Sequence, residues 1–150
     1  MRLSYFVLFF SMLLALMAFK QPIERSEVSE VISTTGNSNC TMKVFEADAA
    51  LGKLRNKQSK TRSLSETIDE YVAGMKAIDL EECPEPFKEA FRSHIVAWDQ
   101  MTQVTDHYPE LRGEMHELFE QLKESEHAVE FKRLYAEIWD TWEAVEAAME

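Results

Sequence analysis

From residue 40 onward, apolar residues recur every three or four positions, with polar and charged residues between them. A helix gathers residues so spaced onto one face, whereas a half-buried strand needs strict alternation. The pattern therefore restricts the chain to amphipathic helices that bury their apolar faces against one another. The small number of turn formers agrees, since four Gly and four Pro in 150 residues are few for an all-β protein. No stretch alternates apolar and polar residues with β-branched enrichment.

Helical periodicity runs in successive stretches. The first, 41–58, carries Val44, Ala47, Leu51 and Leu54, with Phe45 beside them and Gly52 weakening the pattern. The second, 64–80, carries Leu64, Ile68, Tyr71, Met75 and Ile78. Ser63 and Glu66 precede it in the spacing of a capping box. The third starts near Pro86, a residue tolerated in a first turn, and aligns Phe87, Phe91, His94 or Ile95, Trp98 and Met101. Pro109 sets a boundary after it. Two further stripes follow: Leu111, Met115, Leu118 and Leu122, then Phe131, Tyr135, Ile138, Trp142, Val145 and Met149. Leu122 and Phe131 are about half a turn out of phase, so a break near Ser125 lets both faces meet one core. Short polar links join antiparallel neighbours. The expected fold is all-α, an up-down bundle of four to five helices over residues 40–150.

The N-terminus reads differently. Arg2 precedes an apolar run from Tyr5 to Phe19, interrupted only by Ser11 and ended by Lys20. This is the layout of a signal peptide, and residues 3–19 also reach the lower limit for a membrane anchor. A clean small-residue cleavage site is missing, so cleaved signal and uncleaved anchor both stand for residues 1–19. Residues 20–39, rich in Ser, Thr and Asn, read as a flexible linker. The expected location is exported, periplasmic or extracellular, with a membrane association through residues 3–19 if they are kept.

Cys40 and Cys83 are the only cysteines. An even count in an exported chain suggests a disulfide. In an up-down bundle Cys40 precedes the first helix and Cys83 lies between the second and third, which places both at one end. Without C-x-x-C spacing, a redox pair is not predicted. Asn39-Cys40-Thr41 formally matches a glycosylation acceptor, though a bridged Cys40 would crowd it.

The formal net charge of −11 disfavours nucleic acid as a partner, because phosphate binding needs clustered Lys and Arg. Acidic residues crowd the last two stripes, from Glu110 to Glu146, and read first as solvated helix faces, with a basic partner's docking face as the alternative. The opposite asymmetry is a basic link of Lys53, Arg55, Lys57, Lys60 and Arg62. It suits the C-terminal end of a helix dipole, or else contacts an anionic lipid or acidic partner. Trp139 stands off the strict repeat, so it either widens the core face or is exposed for a partner.

His94, His116 and His127 are the candidate metal or haem ligands. His94 falls among apolar residues, and Glu124-x-x-His127 matches half of a di-iron motif that requires a second copy. No motif requires a cofactor, since C-x-x-C-H is absent, and no nucleophile or phosphate-loop pattern points to an enzyme. The sequence thus leads to an exported, non-enzymatic helical bundle that binds an unknown protein or the envelope surface, with a metal- or haem-binding bundle as the alternative.

Overall fold

The computed structural model describes the backbone of residues 25–149 and the side chains of residues 39–149. The signal or anchor segment at 1–19 lies outside the described residues. These form α1 (Arg25–Gln58), α2 (Leu64–Lys76), α3 (Glu85–Gln100), the single turn α4 (Thr102–Thr105), α5 (Met115–Lys123) and α6 (Ala128–Ala147). The expected helical bundle is the fold. Among the described residues there is no strand, and no helix is long and apolar enough to cross a membrane.

Element boundaries follow local chemistry. The Ser63 hydroxyl accepts a hydrogen bond from Glu66 N–H at 3.2 Å and so caps α2. The reciprocal half of the expected capping box is replaced by an ion pair, with the Glu66 carboxylate 3.8 Å from Arg62 Nε. Pro86 lies in the first turn of α3. The break expected near Ser125 separates α5 from α6, and the Ser125 hydroxyl bonds the carbonyl of Leu122 at 2.8 Å. One boundary differs. Residues 25–39, expected as flexible linker, are helical backbone continuous with α1. Only Gly36 in that stretch opposes helix strongly, and a helix nucleated by packing further along extends at little cost per residue.

α1 packs on α2, α2 on α3 and α3 on α6. α5 packs on α6 and leaves α1 and α6 without extended backbone contact. At one end of the bundle Cys40 and Cys83 are paired at disulfide distance, their Cα atoms 5.3 Å apart. At the other end two loops are stitched together. Gly113 N–H donates to the Ser59 carbonyl at 2.8 Å, the Ser59 hydroxyl donates to the Gly113 carbonyl at 3.0 Å, and Leu64 N–H donates to the Leu111 carbonyl at 2.8 Å. Gly113 has φ +155°, a conformation that side-chain-bearing residues rarely adopt. Phe87, Phe91, Phe131, Leu64, Ile68, Met75, Met101, Leu118, Leu122 and Leu134 fill the centre.

The buried stripe of α1 departs from expectation. Leu54 is 48% exposed, whereas Val44, Asp48, half-buried Leu51 and half-buried Arg55 face the bundle. Steps of four, three and four from Val44 give that set. An aspartate and an arginine therefore occupy a core-facing line where Ala47 and Leu54 were expected, and they lie beside the gap between α1 and α6.

Candidate functional site

That gap is a cleft of about 470 Å³. α1 contributes Asp48, Arg55 and Asn56, and α2 and α3 supply a floor of Tyr71, His94 and Trp98. Phe119 enters from α5, with Glu114 and His116 at its start, and α6 adds Tyr135, Ile138, Trp139 and Trp142. Phe45 closes one end against Trp142, their ring centroids 4.9 Å apart. The ion pair between Lys60 and Glu114, 2.6 Å long, spans α1's end and the start of α5.

The floor is a connected polar and aromatic layer. Tyr71 meets Trp98 edge-on at 5.1 Å. The Tyr71 hydroxyl donates to Asp48 Oδ1 at 2.6 Å, and burial together with the adjacent carboxylate pushes its pKa well above the usual value. Asp48 is itself raised, chiefly by burial, against the opposing effects of the Tyr71 hydrogen bond and the charge of Arg55. The Arg55 guanidinium carbon sits 4.5 Å from the Tyr71 ring centroid and 4.3 Å from that of Trp98, a cation–π arrangement on two rings. Burial lowers its pKa, but an arginine remains charged at neutral pH. Its Nε and Nη2 reach Asn56 Oδ1 at 3.2 Å.

His94 is fixed at both ring nitrogens. Trp98 Nε1–H donates to Nε2 at 3.1 Å, so Nε2 carries the lone pair and Nδ1 carries the proton facing Thr141 Oγ1 at 3.0 Å. Burial drives its pKa down to about 4, aided by the positive charge of Arg55. The unfolded chain takes up a proton near the ordinary histidine pKa of 6.5, which the folded site refuses until about pH 4. His94 therefore leaves stability intact above about pH 6.5 and lowers it as the pH falls through that window, by up to about 3 kcal/mol. Asp48 acts in the opposite sense, because the folded state protonates it first. Urea unfolding between about pH 7 and pH 4.5 should show a steeper acid loss in the native protein than in His94→Gln. Equal slopes would remove His94 from the account.

The sequence-based candidates are distributed unevenly. Arg55, Trp139, His94 and His116 line the cleft. Trp139 is 52% exposed, with its ring edge-on to Tyr135 at 6.1 Å, which decides for exposure over core. The rest of the basic link does not act as one patch. Lys60 pairs with Glu114, Arg62 pairs with Glu66 and Glu70, and Lys53 and Lys57 are exposed. His127 lies away from the cleft, stacked on His107 at 4.1 Å, and its Nδ1 meets the Tyr108 hydroxyl at 2.9 Å. The three histidines are not brought together, and no group of three His, Cys, Asp or Glu among the described residues could hold a metal ion. Acidic side chains of α5 and α6 are mostly exposed, several in pairs with Lys123 and Arg133.

Asp48, Tyr71, Phe119 and Tyr135 were not picked out as site residues from the sequence. The available signal was the four-three-four progression from Val44 through Asp48 and Leu51 to Arg55, which places two opposite charges on the apolar side of a helix. Comparison of the chain with protein-family models, curated proteins and solved structures gives no match.

Proposed function

We propose that this is an exported, non-enzymatic binding protein whose recognition site is the cleft between α1 and α6. One observation carries the reading: a half-exposed tryptophan, Trp139, and a half-buried arginine, Arg55, with no carboxylate at ion-pair distance among the described residues, line the same concave, aromatic-walled cavity. Tryptophan is enriched at interfaces, and cavities between bundle helices are common ligand sites. A volume of about 470 Å³ falls in the range of small-molecule pockets. A concave cleft of this size favours a compact ligand over the protein or envelope surface expected from sequence. The apolar run from Tyr5 to Phe19 and the Cys40–Cys83 pair support export, since disulfides persist in oxidising compartments.

N-phenylnaphthylamine is a neutral apolar probe whose emission rises in a dry aromatic site. Titrated into the disulfide-bonded protein, it should saturate one site, with affinity roughly ten-fold weaker in Trp139→Ala. Binding that never saturates, or that ignores the Trp139 substitution, would remove the cleft as the recognition site.

A further inference from the structure

Among the arginines whose side chains are described, Arg55 and Arg92 have no carboxylate at ion-pair distance, and of these two Arg92 is exposed whereas Arg55 is half-buried in the cleft. Arg62, Arg112 and Arg133 each have a carboxylate at ion-pair distance. Among the described residues, Arg55 has only the neutral amide oxygen of Asn56 as a hydrogen-bond acceptor. The nearby acid, Asp48, takes its hydrogen bond from Tyr71 and makes no ion pair with Arg55. A guanidinium held against two rings has donors left over and little freedom to lose on binding. Its planar fork matches a carboxylate in bidentate fashion, in a partly desolvated setting where charge-assisted hydrogen bonds are strong.

The walls restrict what can carry that carboxylate. Phe119, Tyr135, Trp139 and Trp142 present aromatic surface on the α5–α6 side. Rings pair favourably in offset or edge-on geometry, so these walls favour a flat aromatic body. A cationic ligand would meet the like charge of Arg55, which already covers the faces of Tyr71 and Trp98. A dianion would bring a second negative charge into a cleft that already holds the carboxyls of Asp48 and Glu114. We infer that the cleft takes an aromatic monocarboxylate, its carboxylate on the Arg55 guanidinium and its ring system among Phe119, Tyr135, Trp139 and Trp142. This rests on the cleft being the recognition site.

The test is a calorimetric titration of the full disulfide-bonded protein with three probes of one shape: naphthoate, naphthamide and naphthylmethylamine. Naphthoate should bind at one site per chain, at least roughly ten-fold more tightly than naphthamide, with the amine weakest. Arg55→Met should weaken naphthoate by at least roughly ten-fold and naphthamide by less, so that the gap between them closes, and Arg55→Lys should lie between. The probe series on the native protein stands even if the Arg55 variants fold poorly. Equal binding of acid and amide, with both weakened by Trp139→Ala, would overturn the carboxylate assignment and leave the cleft as a binding site. Failure of all three probes and of N-phenylnaphthylamine would overturn both.

Discussion

Replacing Cys40 and Cys83 together by alanine is expected to lower the unfolding free energy by about 4 kcal/mol. The two positions are 43 residues apart, and cross-linking them removes most of the loop-closure entropy of the unfolded segment that contains α1's second half and all of α2. Both residues are buried against the core, so alanine keeps the packing nearly apolar and isolates the covalent contribution. Urea unfolding of the variant, compared with the oxidised and reduced native chain, measures it. The reduced native chain should behave like the variant. A difference below about 1 kcal/mol would mean that the bundle holds this end together without the cross-link.

The second large effect separates two tryptophans of the same cleft. Trp98 is 6% exposed, meets Tyr71 edge-on, supports Arg55 and donates a hydrogen bond to His94. Trp98→Ala should cost about 3–5 kcal/mol, from lost burial plus the cavity left behind. It should also release His94 Nε2 and the Arg55 guanidinium, so ligand binding fails along with stability. Trp139 is half exposed and meets the Tyr135 ring edge-on. Trp139→Ala should cost less than about 1 kcal/mol in stability and act on binding instead. Urea melts paired with N-phenylnaphthylamine titration of both variants would check the contrast. Comparable stability losses at the two positions would show that Trp139 is part of the core.

Much of the scaffold could be read from spacing. The phase jump between Leu122 and Phe131 favoured the break that separates α5 from α6 over one long helix packed on different partners at its two ends, because a straight helix cannot present both stripes to one core. Alternation of helix direction brought Cys40 and Cys83 to one end. Neither inference needs knowledge of distant contacts. The site was harder to see. Apolar periodicity treats Leu54 as a core member and Arg55 as a surface charge, whereas the helix is rotated so that Leu54 meets solvent and Arg55 meets Tyr71 and Trp98. That rotation is set by partners on other helices: the Tyr71 hydroxyl that satisfies Asp48 and the two rings that hold the guanidinium. Hydropathy cannot score a buried charge whose compensation lies on another element. Trp139 was ambiguous for the same reason, since its exposure depends on α1 and α6 standing apart.

Where a ligand goes decides whether the cleft is the recognition site. The indole N–H resonances of Trp98, Trp139 and Trp142, followed by nuclear magnetic resonance as N-phenylnaphthylamine is added, report that directly. Saturable shifts of Trp139 and Trp142 are expected, while the backbone amides of Val96 and Val129, exposed residues that do not line the cleft, stay in place. Shifts centred on Val96 or Val129, with Trp139 and Trp142 unmoved, would contradict recognition at the cleft.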